Sequence, residues 1–231
     1  MIFIKDEAII LKSTPVSSDD LSVTVYLKNL GKENIYVKGG QILKNLYLPK
    51  LQPMNWIKGV FISYKEKLFI KEIDKNVNMA YPIAQDVSKL KTTYFILQVF
   101  DKYTLFPDER LFSLLKSFLY NVSTLEKNEN LELLKVAFLI KYIALYGVLP
   151  SIDKCVKCRT QIDHENFSAF SFKEGGSICK TCKLDKKSDL TYNQLKILTK
   201  LLKNKFSKLK KEDIKMNPSL SEKLLLYLEN H

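Results

Sequence analysis

Four cysteines are the residues of this chain whose types and spacing are best suited to chemistry. They form two Cys-x-x-Cys pairs separated by twenty residues, and they are Cys155, Cys158, Cys179 and Cys182. Each pair can turn two thiolates toward one ion, and two such pairs complete the tetrahedral sulfur shell that zinc prefers. Because four cysteines leave no open coordination position, the pattern predicts one structural Zn²⁺ and not a catalytic ion.

Three other uses of the same cysteines remain open from the sequence. Disulfides require an oxidising compartment, which an exported protein reaches through a signal peptide. The first residues here carry charges before any apolar run of that length, which argues against export. A redox Cys-x-x-Cys usually occurs once, near a βαβ unit. An iron–sulfur cluster also takes four thiolates, although paired motifs at this distance favour zinc. His164 lies between the pairs, and we expect it to be a surface residue and not a ligand.

The charge of the chain indicates a polyanionic partner. The net charge is +12; residues 1–80 carry 12 lysines against 8 acidic residues, and residues 186–231 carry 11 against 5. Both ends are therefore basic, which favours nucleic acid as the partner. The alternative is a lysine-rich composition unrelated to binding, because Arg110 and Arg159 are the only arginines.

Common catalytic motifs are missing from the sequence. There is no Walker-type phosphate loop, no Gly-x-Ser-x-Gly and no His-Glu-x-x-His. With only His164 and His231, a histidine-based mechanism has little to work with. Asp108 and Glu109 are expected to stabilise a helix N-terminus. The sequence therefore predicts a binding protein and not an enzyme.

The elements that must position these residues begin with strands. Residues 21–27 alternate apolar and polar side chains, as a half-buried strand does. The expected strands are residues 8–11, 21–27, 35–37, 56–64 and 68–73, with a hairpin turn around residues 65–67. Five short strands with turn residues between them predict a small β-barrel. An OB-fold is the leading candidate and an SH3-like barrel the alternative.

From Ala84 the apolar period becomes helical. The expected helices are residues 86–103, 111–125, 131–146, 192–205 and 220–228. The first has one apolar stripe, formed by Val87, Leu90, Tyr94 and Leu97. The third is apolar nearly all round, which predicts a buried, central helix. The predicted class is α+β, with an N-terminal OB-fold β-barrel at residues 1–80. An α-helical domain at residues 81–231 follows, with a four-cysteine zinc module inserted at residues 150–185.

Short motifs with a fixed order run along nearly the whole chain. They are EAIIL at 7–11, DLSVT at 20–24, GK at 31–32, KG at 38–39, LQP at 51–53, LYGVLP at 145–150, and the cysteine module with Phe172, Gly175 and Gly176. In this order the chain resembles the RecO family of DNA-repair and recombination mediators. Two features depart from the family pattern. Arg159 stands where glycine is common after the second cysteine, which is expected to alter the turn but keep the ligands. Residues 40–44 are less basic than the often Arg-rich family segment, which predicts either weaker DNA contact there or contact made by Lys50 and other residues.

The resemblance implies a protein that binds single- and double-stranded DNA and anneals complementary strands. It implies RecR as a partner, and RecA indirectly, because the two proteins together load RecA onto DNA coated by single-stranded DNA-binding protein. It implies no nucleotide and no enzymatic activity. No stretch reaches the roughly 18 apolar residues that span a bilayer, and we expect a bacterial, cytoplasmic, nucleoid-associated protein without a membrane partner.

The expected DNA-binding residues are Lys38, Lys44 and Lys50, in or beside the loop after the third strand. OB-folds often bind single strands at such loops. Aromatic residues nearby have two possible uses, base stacking or packing in the core. They are Tyr36, Tyr47 and Trp56.

The resemblance also implies that the helical domain binds the acidic, apolar-tipped C-terminal tail of single-stranded DNA-binding protein. The expected cations are Lys196, Lys200 and Lys203, which flank an apolar stripe of Leu195, Leu198, Leu201 and Leu202. The alternative is an ordinary amphipathic helix with a solvated basic face.

The expected function is therefore a DNA repair and homologous recombination mediator. Two alternatives remain: a zinc-containing nucleic-acid-binding factor in transcription or RNA handling, and an enzyme on an OB scaffold. Annealing of protein-coated strands separates the first reading from the second, and turnover of a substrate would favour the third.

Overall fold

The computed structural model describes residues 1–42, 46–126, 129–183, 187–217 and 219–231. Five strands come first: β1 (Ile2–Pro15), β2 (Leu21–Leu27), β3 (Gly31–Val37), β4 (Trp56–Tyr64) and β5 (Lys67–Val77). Four helices follow: α1 (Ala80–Ala84), α2 (Val87–Tyr103), α3 (Glu109–Ser123) and α4 (Leu131–Tyr146). A short hairpin of β6 (Phe167–Ser171) and β7 (Gly176–Cys179) precedes α5 (Tyr192–Lys203), α6 (Phe206–Leu209) and α7 (Ser219–Glu229). The predicted α+β class is confirmed.

The first five strands close into a barrel in the order β1-β2-β3-β5-β4. β1 pairs antiparallel with both β2 and β4, and a short parallel contact between Ile35 and Leu68 joins β3 to β5. The alternation read from the sequence sets the inside of the barrel, because Val23 and Val25 are fully buried in its core. This five-stranded barrel is the predicted OB-fold.

The β4–β5 hairpin is the expected one, and its geometry shows why it forms. Lys65 and Glu66 both have positive φ, 46° and 61°, so a two-residue mirror-image turn matches the twist of the strands. Farther along the same pair, the register shifts between Lys58 and Gly59. A Cβ at Gly59 would lie 2.1 Å from the Glu72 carbonyl oxygen, so the barrel requires glycine there.

The chain divides into two compact units, Met1–Lys127 and Asn128–His231. In the first unit the barrel packs against the helices that follow it. The Tyr26 hydroxyl donates to the Phe106 carbonyl at 2.9 Å and accepts from the Asp108 N–H at 2.9 Å. Its ring meets Phe100 edge-on at 4.9 Å. The change from strand to helix falls between Val77 and Ala80.

Two helix starts in this unit follow the sequence closely. Asp86 caps α2 by accepting from the Ser88 and Lys89 N–H groups. Asp108 caps α3 by accepting from the Arg110 and Leu111 N–H groups. The expectation that Asp108 serves a helix N-terminus is therefore confirmed.

The predicted apolar stripe of α2 is wrong. Val87 is 66% exposed and Tyr94 is 44% exposed, and of the four expected residues Leu97 is the buried one. The buried face consists of Thr93, Ile96, Leu97, Val99 and Phe100. Helical periodicity alone does not determine which face is buried, because that depends on contact with neighbouring elements.

In the second unit, α4 is central, as its composition predicted. Nine of its residues, including Phe138 and Tyr142, are buried, and α5 and α7 pack against it. It ends at Gly147, which has φ 92°. Lys141 of α4 donates to the Leu202 carbonyl at 2.7 Å, and burial lowers the pKa of its ammonium group.

The single-turn helices α1 and α6 and the β6–β7 hairpin were not expected, because such short elements carry little periodicity. Among the described residues, no helix is both long enough and apolar enough to cross a membrane.

Candidate metal centre and nucleic-acid surfaces

The first cysteine pair lies in a tight loop. The Arg159 N–H donates to the Cys155 carbonyl at 2.9 Å, and the Cys155 N–H donates to the Thr160 carbonyl at 2.8 Å. Arg159, the residue after the second cysteine, has φ 64°. The left-handed conformation is the one that glycine adopts without cost, so the loop retains its turn with arginine under some strain.

The second pair is carried by the β6–β7 hairpin. Cys179 ends β7, and Cys182 closes a 3₁₀ turn at Lys180–Cys182. The Cys179 N–H points at the Cys155 sulfur, 3.5 Å away. The two pairs are thereby brought together across twenty residues of sequence.

A backbone contact holds the hairpin against the first loop. The Ser177 N–H donates to the Ser151 carbonyl at 2.8 Å, and the Ser151 N–H donates to the Gly175 carbonyl at 2.8 Å. Gly176 has φ 147°, and a Cβ there would lie 2.3 Å from the Ser151 oxygen. Close backbone approach therefore requires glycine at Gly176, whereas Gly175 faces open space and is favoured by its left-handed φ of 80°.

The four sulfur atoms form one compact cluster. All lie within 4.8 Å of one another, and the Cys158 and Cys179 sulfurs are 3.5 Å apart. A tetrahedral ion with four sulfur ligands at about 2.3 Å separates the sulfurs by about 3.8 Å, so the cluster fits such an ion. Cys155 and Cys179 are buried, Cys182 is partly buried and Cys158 is exposed.

The thiols differ in acidity because their hydrogen bonds differ. A side-chain hydrogen bond with Thr160 lowers the pKa of Cys158 to about 6. Hydrogen bonding to Cys158 raises the pKa of Cys182 to about 12. Burial opposes ionisation of Cys155, but backbone N–H groups outweigh it and lower the pKa of that thiol. Cys155 and Cys158 thus favour the thiolate form that a divalent cation binds, whereas Cys182 favours the protonated thiol.

The surroundings of the cluster agree with the sequence. Lys157, Lys180 and Lys183 are exposed beside it, where their charge offsets that of the thiolates. His164 is exposed and its ring lies 5.6 Å from that of Tyr192. Among the described residues, the metal-ligand cluster consists of the four cysteines alone.

The three lysines expected to bind DNA are found in different settings. Lys38 is exposed directly after β3. Lys50 is half-buried, and its ammonium lies 5.8 Å from the centroid of the Tyr47 ring. Lys44 lies outside the described residues.

Asp20 anchors the loop that carries Lys38, a role that the sequence did not reveal. Its carboxylate accepts from the Tyr36 hydroxyl and, at 2.7 Å, from the Gly39 N–H. These hydrogen bonds, that of Tyr36 first, lower the pKa of Asp20. The motifs at 20–24 and 38–39 are separate in sequence, but the hydrogen bond from Gly39 to Asp20 brings them into contact in the fold.

The aromatic residues expected near the DNA site divide between the two uses. Trp56 is buried, its indole N–H donates to Glu7 at 3.0 Å, and the Lys116 ammonium lies 3.9 Å from its ring centroid. Trp56 is therefore a core residue. Tyr36 is 40% exposed but engaged with Asp20, and Tyr47 is half-buried.

The helix expected to receive a partner tail is α5. Lys196 and Lys203 are exposed, whereas the Lys200 ammonium is 2.7 Å from the Glu212 carboxylate. The expected apolar stripe belongs largely to the core: Leu195, Leu198 and Leu201 are buried, and Leu202 is half-buried. These leucines do not line an open cleft, because the α5 face that carries them packs in the interior of the unit.

Two further lysine–aromatic pairs on the barrel were not predicted from the sequence. The Lys71 ammonium lies 4.5 Å from the Phe3 ring centroid, and the Lys65 ammonium lies 5.4 Å from that of Tyr64. Lys71 and Phe3 are far apart in sequence, and only the pairing of strands in the barrel brings them together.

Comparison with known proteins agrees with this arrangement. The family described as "Recombination protein O C terminal" matches residues 106–231. A protein named "DNA repair protein RecO" from Caldanaerobacter subterraneus subsp. tengcongensis is 29% identical over 217 residues, which cover 91% of this chain and 85% of that protein. A protein of the same name from a Thermoanaerobacter species is 26% identical over 245 aligned positions, covering 100% of this chain and 93% of its own length. The chain therefore belongs to the RecO (recombination protein O) family.

Proposed function

We propose that this protein is a DNA repair and homologous recombination mediator that binds single- and double-stranded DNA and anneals complementary strands. With RecR, it helps to load RecA onto DNA coated by single-stranded DNA-binding protein. The observation that carries the proposal is family membership, supported by likeness to proteins named for DNA repair along nearly the whole chain. The protein acts by binding and is not an enzyme.

The charge and the barrel support the DNA-binding part of the proposal. The net charge is +12, and Lys38 and Lys50 lie in the connection between β3 and β4 of an OB barrel. Loops and strands of OB-folds bind phosphates and bases in other proteins. In this proposal Lys38, Lys44 and Lys50 contact phosphates, so that affinity falls steeply with salt. Residues 1–80 form the nucleic-acid-binding domain, and residues 81–231 form the helical domain that contains the zinc module, residues 150–185.

One structural Zn²⁺ held by Cys155, Cys158, Cys179 and Cys182 is the proposed cofactor. Zinc bound by four thiolates has no free position for substrate, and it supplies cross-linking of the module. The chain's own residues prepare the site, because backbone N–H groups already point at the Cys155 sulfur.

The proposed partners are DNA, RecR and single-stranded DNA-binding protein, with RecA reached indirectly and no membrane. The acidic part of the partner tail contacts Lys196 and Lys203, and Lys200 when it leaves Glu212. Since the α5 leucines are buried, the apolar tip of the tail must rest on other residues. The proposed location is the bacterial cytoplasm, in association with the nucleoid.

Annealing of complementary strands tests the proposal directly. The protein should accelerate duplex formation between complementary oligonucleotides, both naked and coated with single-stranded DNA-binding protein, in an electrophoretic assay. Lys38→Glu together with Lys50→Glu should slow the reaction. Lys173→Glu serves as the matched control, because Lys173 is an exposed lysine in the second unit. Strands that anneal no faster with the protein than without it would contradict the proposed function.

A further inference from the structure

One cross-strand row on the outer face of the barrel is apolar and open to solvent. Phe3 of β1 pairs with Ile62 of β4, and Ile62 pairs with Phe69 of β5. Their chain neighbours Ile4 and Phe61 point into the barrel core, so the row points outward. Phe3 is 56% exposed, and the other two are half-buried. The row forms a flat apolar platform whose most accessible group is an aromatic ring.

Lysines lie over the aromatic rings of this face. The Lys71 ammonium is 4.5 Å from the Phe3 ring centroid, and at the β4–β5 turn the Lys65 ammonium is 5.4 Å from that of Tyr64, which is 46% exposed. Among the described residues, neither ammonium is paired with a carboxylate. Each ring is thus accompanied by a cation that is available to an anion.

The platform is continuous with the DNA-binding segment expected from the sequence. The Tyr47 hydroxyl donates to the Lys71 carbonyl at 3.4 Å, and Lys50 lies over the Tyr47 ring. A path of touching residues therefore leads from Lys50 through Tyr47 and Lys71 to Phe3. It crosses β5 and β4 from the loop after β3 to the start of β1.

The aromatic rings and ammonium groups along this path indicate which class of ligand it can bind. Alternating ring faces and ammonium groups match a chain of alternating bases and phosphates, because every base has a π-face and every linkage a negative charge. A duplex hides its base faces in the stack, so a single strand is favoured. The acidic residues of β5 and its turn are Glu66, Glu72 and Asp74, of which Asp74 is 3.8 Å from Lys5. The lysines of the same segment, Lys65, Lys67, Lys71 and Lys75, outnumber them.

We propose that the outer face of β1, β4 and β5 is a single-stranded DNA site in which Phe3 stacks on a base and Lys71 contacts the adjoining phosphate. This inference rests on the proposed function and adds to it a defined strand path that lies beyond Lys38, Lys44 and Lys50.

Oligothymidylate binding by full-length variants tests the site. Phe3→Ala should weaken binding about tenfold, which is the order expected for loss of one stacked base, and should leave the slope of log affinity against log salt unchanged. Lys71→Gln should weaken binding and reduce that slope by about 0.7, the value for one phosphate of a single strand. Phe106→Ala is the matched control, because this phenylalanine is 78% exposed and lies outside the barrel.

A fluorescence measurement gives an independent test. Phe3→Trp adds an exposed indole to the buried Trp56, and saturating oligothymidylate should quench the added emission while duplex DNA quenches it less. Equal affinities of Phe3→Ala and Phe106→Ala, or no quenching of the added indole at saturation, would overturn the site. A change in self-association of Phe3→Ala by sedimentation, with DNA affinity retained, would overturn it in favour of an interface between copies. If the wild-type chain bound no oligothymidylate, the proposed function itself would fail.

Discussion

At the scale of single residues, Arg159 adopts a backbone conformation that residues with a Cβ usually avoid. Its φ of 64° is left-handed, a conformation that costs a residue with a Cβ roughly 1–2 kcal/mol. Glycine removes this cost but gains freedom in the unfolded chain. The loop of the first cysteine pair therefore tolerates arginine, with some loss of stability.

We expect Arg159→Gly to stabilise the cysteine module modestly, by less than about 1 kcal/mol after both effects are counted. The variant should lose its bound metal more slowly to a chelator than the wild type does. Arg159→Lys, which keeps the Cβ, should behave like the wild type. Faster metal loss from Arg159→Gly would show that the arginine side chain itself supports the loop.

Asp20 is a second residue whose effect is local and testable. The Tyr36 hydroxyl, followed by the Gly39 N–H, holds its pKa below the usual value of 3.8. Because the folded-state pKa is depressed, the stabilisation is present above about pH 4 and is lost as pH falls through the folded pKa.

We expect Asp20→Asn to lower the thermal unfolding midpoint at pH 7 and to have little effect near pH 2, where the wild-type carboxyl is neutral. Calorimetric scans across this range measure the difference. Asp19→Asn provides a neighbouring control, because among the described residues it is the Asp19 N–H, donating to the Ser17 hydroxyl, and not the carboxylate that forms a hydrogen bond. A pH-independent difference for Asp20→Asn would mean that the hydrogen bonds do not require the charge.

At the scale of elements, α5 illustrates the difference between an amphipathic pattern and an available surface. Its leucine stripe is the part that packs in the interior, and its capping box, Thr191 with Gln194, places the start of the helix. The lysines remain on the outside, where they are free to meet an acidic partner, except that Lys200 neighbours Glu212.

We therefore expect Glu at both Lys196 and Lys203 to weaken binding of an acidic, apolar-tipped tail peptide and to reduce its salt dependence. Lys200→Glu is a poorer probe, since it would place two carboxylates together at Glu212 and destabilise the unit. Calorimetry with the peptide measures the effect, with Lys173→Glu as the control. Wild-type affinity in the double variant would locate the tail site elsewhere.

At the scale of the whole molecule, the cysteine cluster forms a small core within the unit Asn128–His231, apart from the helical core around α4. Cys155 and Cys179 form a small buried cluster with Ile162, against which Phe167 and Tyr192 pack. This cluster is too small to order the surrounding loops alone, so we expect a metal ion held by the four cysteines to contribute directly to folding.

We expect elemental analysis to return one zinc per chain, and chelation to lower the thermal unfolding midpoint. Hydrogen exchange should then rise first in residues 150–183. Cys158→Ser should reduce zinc content well below one per chain, whereas Thr160→Val should retain it, because the threonine hydroxyl only hydrogen-bonds the sulfur. Full zinc content in Cys158→Ser would contradict the four-cysteine site.

Features that depend on neighbouring residues in the chain were predictable from sequence. The alternation of residues 21–27, the turn at Lys65 and Glu66, the helix start at Asp108, and the span of α4 over residues 131–146 all formed as expected. Each follows from backbone conformation or hydrogen bonding within a few residues. The two cysteine pairs belong to this group as well, because their spacing already indicates a shared ion.

Only the tertiary structure decided which faces these elements bury. α2 buries Ile96 and Phe100 in place of Val87 and Tyr94, Trp56 is enclosed with Glu7 and Lys116, and the α5 leucines are interior. The row of Phe3, Ile62 and Phe69 exists only because three strands pair in one register. A sequence sets the periodicity of each element, but burial is set by the elements packed against it, and these come from distant parts of the chain.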